Sequence, residues 1–387
     1  MGTEKRALFI TANYWNSPYR VGSHELASLF VENGWKVGFM SDPISPFHLF
    51  KPGDKLIMPR FKIYYADGER YYNNKLWVYV PFTLFPPQNY PVLRSKFILR
   101  NWHHFTLPNT YQKIKENGFD NVDLLYFDNA TQAIWIDIIK HKKSVFRIAD
   151  NYSGYRKYTE YTKEMESYLS EKVDLILYTA RALKNYVKNA NENNSVYFPN
   201  GVNVKNFLSG SKDEPEDLVS IPKPRIIYAG EMEVRFDFEL IKYTAKELTE
   251  FSFILIGNDT KAKKEFKNFS NVFVMGQRKY DELSKYFHNS DVGIIPFDTV
   301  KLGNLIDFVN PIKIHQYFVC GLPVVSARWE ELENMNTPAM LYNNKEEFVE
   351  LLKKAVNNNF DKEKLINEAK KNDWKDRYLQ LINKLGF

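Results

Sequence analysis

The sequence predicts an α/β protein built from two Rossmann-like, doubly wound domains that face each other across a cleft. Three observations carry this expectation. The chain has 387 residues, too many for one ordinary core, so two domains of somewhat under about 200 residues each are expected. Short apolar runs alternate with amphipathic helical stretches, the signature of a parallel sheet covered on both faces. The alternation also stops and restarts around an acidic stretch rich in Ser, Gly and Pro, "LSGSKDEPEDLVSIPKP", which reads as an interdomain linker over 208–224.

The elements follow in order. "RALFITAN" is a buried strand and "GSHELASLFVENGW" an amphipathic helix stopped at Gly34. "KVGFMSD" is the next strand. After a basic, aromatic segment come three short apolar runs, "VDLLYFDN", "SVFRIAD" and "VDLILYTA", separated by helical stretches, and "VYFPNGVNVKNF" closes a first domain of residues 1–207. The second domain, 225–373, repeats the alternation with "RIIYAG", "FSFILIG", "NVFVMG", "VGIIPF" and "PVVSA". The C-terminal stretch 374–387 is helical and is expected to be able to cross back to the first domain. A cleft between the carboxyl ends of two such sheets is where these folds bind ligands.

Composition narrows the class. The chain is 44% hydrophobic and 26% charged, as a folded protein is. One cysteine, Cys320, excludes an intrachain disulfide and a cysteine zinc site, and fits a reducing compartment. No apolar run approaches the ~20 residues of a membrane span, and no signal-peptide core opens the chain, so a cytoplasmic protein is expected. The net charge of +6 is concentrated. Residues 51–116 hold eleven Lys/Arg against four Asp/Glu, a surplus of +7, together with fourteen aromatics that include Tyr64, Tyr65, Trp77, Phe85, Phe97, Trp102 and Phe105. That composition suits an anionic membrane surface, or simply a folded hairpin and helix with a solvated basic face. No nucleic-acid-binding motif accompanies it.

The stretch "NPIKIHQYFVCGLPVV" (310–325) carries the strongest chemical signal. Asn310 and Pro311 introduce a helix, Gly321 closes it, and Lys313 stands in its first turn. A helix start offers free N–H groups and a partial positive charge, and a lysine there makes the place attractive to a phosphate.

The succession "YAG", "VMGQ", "IIPF", Pro-x-Lys-x-x-Gln-Tyr and Gly-x-Pro-Val-Val resembles the second domain of GT-B glycosyltransferases. With "NYWNSPYR" in the first loop and "VFRIADNYSG" at a later strand end, the chain is similar over most of its length to the GumK family, the membrane-associated glucuronosyltransferases of xanthan assembly. The resemblance implies that Lys313 meets the diphosphate of a UDP-sugar and that Gln316 reaches the ribose. It further implies that Asn310, Pro311 and Ile312 line the phosphate turn, that Gly230 and Met232 adjoin the nucleotide, and that the backbone of Gln277 and Arg278 faces the uracil.

Retaining GT-B enzymes commonly carry a Glu-x7-Glu pair ending on this helix, and here the two positions are Phe308 and Gln316. An inverting displacement follows as the better reading, and it requires a base on the acceptor side. Asp150, ending "SVFRIAD", is the candidate the resemblance favours; a helix cap is its other reading. Asp128 in "YFDNA" is the rival. Arg20 and His24 border the first loop as acceptor-side candidates. His103 and His104 lack carboxylates at metal spacing, and neither a metal nor a cofactor is expected. The expected function is an inverting UDP-sugar-dependent glycosyltransferase acting on a lipid-linked saccharide at the inner face of the cell membrane in surface polysaccharide biosynthesis. A catalytically silent nucleotide-sugar-binding protein and a UDP-sugar 2-epimerase are the alternatives.

Overall fold

The computed structural model describes residues 4–50, 57–87, 93–154, 160–191 and 194–387, which form two compact units. Lys51, Lys55 and Tyr90 of the basic aromatic segment lie outside the described residues. The first unit comprises Met1–Pro199 and Tyr378–Phe387; the second is Asn200–Arg377.

The first unit is built on eight strands. They are β1 (Arg6–Thr11), β2 (Lys36–Ser41), β3 (Glu69–Tyr71), β4 (Leu76–Tyr79), β5 (Asn121–Phe127), β6 (Lys140–Ile148), β7 (Leu175–Tyr178) and β8 (Ser195–Tyr197). Their order is β3-β4-β2-β1-β5-β6-β7-β8, parallel throughout except for the antiparallel β3–β4 pair. Parallel strands buried on both faces read as unbroken apolar runs, as in "ALFI" of β1, whose four side chains are completely buried. Chain order reverses between β1 and β5, so the loops after β1, β2, β5 and β6 gather around a topological switch point, where α/β sheets place ligands. The final turns also belong here: Tyr378 meets Phe30 edge-on at 5.0 Å and Phe387 meets Trp35 at 5.1 Å.

The second unit holds six parallel strands: β9 (Arg225–Ala229), β10 (Ser252–Ile256), β11 (Val272–Gly276), β12 (Val292–Ile295), β13 (Val324–Ala327) and β14 (Met340–Tyr342), in the order β11-β10-β9-β12-β13-β14. The short β14, "MLY", carries too little apolar sequence to be recognised by pattern and gains its place by pairing with β13.

Two sequence expectations are corrected. The stretch 208–224 is not a free linker: it lies inside the second unit, whose boundary falls between Pro199 and Asn200. Leu218 and Ile221 are buried, and the buried Arg225 guanidinium clamps the segment by donating to the carbonyls of Leu218 (2.7 Å) and Ile221 (2.7 and 2.9 Å) and to Glu214. Acidic, Pro-containing composition marked the surface of this segment and concealed its buried anchors. The basic aromatic segment is likewise divided. Trp77 and Trp102 are core side chains, Trp77 stacking on Tyr79 at 5.2 Å and on Phe119 at 5.7 Å, and neither tryptophan is available to a bilayer. The exposed large side chains of the segment include Tyr65 (77%), Phe97 (63%), Leu107 (54%) and Phe85 (40%), with Phe85 and Phe97 flanking Phe105.

The Arg225 clamp generates a prediction. Arg225→Lys keeps the charge but loses the planar fork, leaving the buried Ile221 carbonyl without a donor among the described residues and the Leu218 carbonyl with only its backbone turn bonds. One such orphaned group costs about 1–3 kcal/mol, and loss of the bond to Leu218 about 1 kcal/mol more. Urea denaturation should show the second unit destabilised by at least about 2 kcal/mol, with limited proteolysis newly cutting within 208–224; an unchanged midpoint and digest would refute the clamp.

Candidate functional site

In the second unit the site begins at the carboxyl end of β9. Gly230 follows Ala229 with φ +157°, and a Cβ there would lie 2.4 Å from Lys313 Cε and 2.7 Å from its Nζ. Glycine is therefore what lets the lysine lie over the strand end. Gly257, at the end of β10, makes the parallel allowance, since a Cβ there would come within 1.9 Å of the Gly230 carbonyl oxygen. Lys313 stands in the first turn of the helix Ile312–Val319, which has no side-chain N-cap, so its leading N–H groups lack the usual side-chain acceptor. The helix is docked from behind: the Tyr317 hydroxyl accepts a hydrogen bond from the Ala229 N–H at 3.1 Å.

The Lys313 ammonium lies 5.5 Å from the Tyr228 ring and 5.9 Å from the Phe297 ring, and among the described residues it has no ion-pair or hydrogen-bond partner. The residue keeps some surface, while its ammonium is embedded among these groups. Burial, with the nearby Arg235 charge as the second cause and Glu231 opposing, lowers the lysine to about 8. Two cations beside a helix start without a side-chain cap, with no acid bound to the Lys313 ammonium among the described residues, are an arrangement suited to an anion. Arg235 was missed in the sequence because it stands outside the recognised motif; its only linear signal was a basic residue five positions after Gly230.

The other donor-side candidates sort into different roles. Asn310 is an anchor: its Oδ1 accepts from the Asn200 N–H (3.0 Å), its carbonyl accepts from Asn200 Nδ2 (2.7 Å), and its Nδ2 donates to Glu331 (2.8 Å). It shapes the turn through Pro311 and Ile312 with its side chain already committed. Gln316 is 8% exposed and its amide has no partner among the described residues, so it remains available to a ligand. Met232 is fully buried, and its N–H donates to Asn258 Oδ1 at 2.6 Å. The Arg278 side chain is tied to Asp217 (2.6 Å) and to the Tyr286 hydroxyl (2.7 Å), and donates to the Gln277 carbonyl (3.0 Å).

In the first unit, aspartates stand after three strands around the switch point: Asp42 after β2, Asp128 after β5 and Asp150 after β6. Asp128 is buried with both oxygens engaged, Oδ1 accepting from the Ala12 N–H at 2.8 Å and Oδ2 from the Ser23 hydroxyl. Burial raises its pKa against those bonds and the nearby Arg147. It pins the first loop to the sheet. Asp150 is 8% exposed; its Oδ1 accepts from the next N–H, that of Asn151, at 2.9 Å. His24 is completely buried, with Val21 N–H donating to Nδ1 (3.2 Å) and Nε2 donating to the Tyr14 carbonyl (3.1 Å). Burial, then the Arg20 charge, lowers it to about 3, so it is a neutral brace of the loop 12–21 and offers no free nitrogen to an acceptor. Arg20 pairs with Glu25 at 3.0 Å and lies 5.3 Å over Trp15.

Comparison with known proteins places both units. Residues 9–179 match the family of the glucuronosyltransferase GumK, N-terminal domain, and residues 223–358 match the glycosyl transferases group 1. A Bacillus subtilis (strain 168) protein described as a teichuronic acid biosynthesis glycosyltransferase, TuaH, is 25% identical over 201 residues, 48% of this chain and 49% of that protein, so the chain spans about half the length of this curated relative. Solved structures share the fold along the whole chain. Sucrose-phosphate synthase of Thermosynechococcus elongatus has a TM-score of 0.67 at 13% identity, covering 98% of both chains. HepE of Anabaena in complex with UDP and glucose has 0.63 at 14%, covering 99% of this chain and 100% of that one. The E. coli trehalose-6-phosphate structure bound with UDP-2-fluoro glucose has 0.66 at 10%, covering 98% and 99%. Two parallel-sheet α/β units, the two matches in series and these neighbours make the chain a GT-B protein that resembles GumK in its first unit and the group 1 glycosyl transferases in its second.

Proposed function

We propose that the chain transfers a sugar from a UDP-sugar, with inversion, to a lipid-linked saccharide acceptor at a membrane surface during cell-surface polysaccharide assembly. The observation that carries the reading is the Lys313 ammonium, held over Gly230 at a helix start without an acidic partner among the described residues. A diphosphate that leaves with extra negative charge would be met there by Lys313, Arg235 and the helix N–H groups, a stabilisation that grows in the transition state and needs no divalent ion. Neighbours of this fold hold UDP with glucose and UDP-2-fluoro glucose, which supports a UDP-sugar donor. The GumK match and the teichuronic acid relative favour a glucuronosyl donor.

In this reading Asp150 accepts the proton of the acceptor hydroxyl as that oxygen bonds to the anomeric carbon, and the bond from that carbon to the diphosphate breaks with its electron pair leaving on UDP. The acidic pair of the retaining enzymes is absent, Phe308 and Gln316 standing in its place. No helix of the described residues is long and apolar enough to cross a membrane. The exposed Tyr65, Phe85, Phe97 and Leu107, set in a segment with a surplus of basic charge, fit reversible contact with an anionic bilayer on the inner face of the cell membrane.

Three outcomes are expected. Lys313→Ala should weaken UDP binding by about 1.5–3 kcal/mol, roughly ten- to hundredfold. In the wild type, UDP affinity should be flat below about pH 8, where the lysine is already protonated, and fall by up to about tenfold per pH unit above it. Calorimetry showing the same affinity and pH profile in both proteins would remove Lys313 from the site.

Asp150→Asn should abolish transfer while leaving UDP affinity unchanged, because the base acts on the acceptor. A helix cap would accept Asn without loss, so near-normal turnover would transfer the base assignment elsewhere.

Finally, the chain should sediment with anionic but not neutral liposomes, and high salt should release it. Each basic residue near the surface contributes about 1 kcal/mol and the attraction decays within a Debye length. Charge reversal at Arg94, Lys96 and Arg100 should abolish this binding with UDP affinity intact; a wild type indifferent to anionic liposomes at low salt excludes the membrane contact.

A further inference from the structure

Asp42 has no part in the reading above, yet it occupies the centre of the first sheet's switch point. It follows β2, and its side chain reaches past β1 to the turn after β5, where its Oδ1 accepts from Asn129 Nδ2 (2.5 Å), Gln132 Nε2 (3.0 Å) and the Thr131 hydroxyl (3.4 Å). Three donors on one oxygen fix the carboxyl plane. The other oxygen, Oδ2, has no partner among the described residues, and the residue keeps part of its surface open.

Gln132 adds an independent observation. It is completely buried; its Nε2 donates both to Asp42 Oδ1 and to the Thr11 carbonyl (3.1 Å). Both partners are acceptors, which fixes which end of the amide is nitrogen and leaves Oε1 as the acceptor. That Oε1 is buried with no donor among the described residues. A buried acceptor without a donor is uncommon in a folded protein and calls for an explanation. The switch point thus holds two acceptors without donors among the described residues, the partly open Asp42 Oδ2 and the buried Gln132 Oε1. Such a pair repels phosphate and suits a ligand rich in hydroxyl donors.

We infer that Asp42 is a specificity-determining residue of the acceptor site, its free carboxylate oxygen receiving a hydrogen bond from a hydroxyl of a neutral saccharide. The inference rests on the glycosyltransferase reading for the identity of that saccharide as acceptor. It is separate from the base: Asp150 removes a proton, whereas Asp42 holds a sugar ring in place. Asp128, the third aspartate, has no oxygen free for either task.

The state of Asp42 gives the inference a signature. Burial raises its pKa to about 7, with the Asp128 charge also raising it and with Arg60, Gln132 and Thr131 opposing. The ionised form is the better acceptor for a hydroxyl, so saccharide binding should strengthen as pH rises through about 7 and weaken as it falls. Lys313 cannot produce this limb, because its loss of charge above about 8 acts on the donor anion and in the opposite sense.

The test uses the full chain and octyl β-D-glucopyranoside, below its micelle concentration, as the probe. Asp42→Asn retains an oxygen for the three donors and replaces the free acceptor by an NH2 group, so the fold should survive, as a thermal melt will show. Wild-type affinity for the glucoside is expected to rise between about pH 5.5 and about pH 8.5. In the variant, affinity at the higher pH should be about tenfold weaker, the worth of one hydrogen bond to a charged group, and the pH limb should vanish, with UDP affinity unchanged. A wild type that fails to bind the glucoside, or binds it equally at both pH values, overturns the inference without reference to any variant; so does a variant indistinguishable from it. The glycosyltransferase reading fails separately, if wild type releases no UDP from UDP-sugars while still binding the glucoside through Asp42.

Discussion

The second unit is organised around a cation with no acidic partner among the described residues. Lys313 can lie over the end of β9 only because Gly230 has no side chain, and Gly230 can hold that conformation only because Gly257 leaves room for its carbonyl. Tyr317 ties the same helix to the same strand end through the Ala229 N–H, and Asn310 locks the entry turn to Asn200 and Glu331. The fold thus spends several buried contacts on keeping an ammonium, an arginine and an open helix start together. Such an arrangement is electrostatically unfavourable by itself, as the lowered lysine shows, and an arriving anion relieves the unfavourable interaction.

The first unit makes a complementary arrangement from carboxylates. Asp42, Asp128 and Asp150 all occupy positions after strands of one parallel sheet, where backbone direction alone brings them near the switch point. Their environments then separate them. Asp128 has its two oxygens saturated by Ala12 and Ser23 and works as a structural pin. Asp42 is saturated on one side only. Residue type and placement after a strand end are alike in the three; the hydrogen-bond donors around each decide what it can do.

The basic aromatic segment teaches a similar distinction. Its composition is that of a membrane-contacting surface, but part of it builds the sheet: Leu76–Tyr79 form the fully buried strand β4, and Trp77, Tyr79 and Phe119 stack against one another. Only the residues that the hairpin and short helices turn outward, Phe97 and Tyr65 above all, retain exposure. An aromatic count therefore overstates the surface available to lipid, while the uneven charge remains a property of the segment as a whole.

Much of the fold was legible in the linear sequence because parallel strands are apolar wherever helices cover both faces. β1, β2, β5, β6 and β7 and the first five strands of the second unit all stand out as apolar runs. Lys313 was legible too, since Asn-Pro before it and Gly321 after it mark the helix start by local backbone chemistry. What the sequence could not determine depended on contacts distant along the chain. The edge strand β14 exists through pairing with β13. The stretch 208–224 reads as linker until Arg225 binds its carbonyls. His24 reads as a functional histidine until burial leaves it neutral and both nitrogens occupied. Asp42, Gln132 and Arg235 carry no motif: a carboxylate acquires its character from burial and neighbouring donors, and those neighbours lie 87 to 90 positions away in Asn129, Thr131 and Gln132. Local chemistry decided where strands and helix starts fall, and tertiary packing decided which polar groups were left unpaired for a ligand.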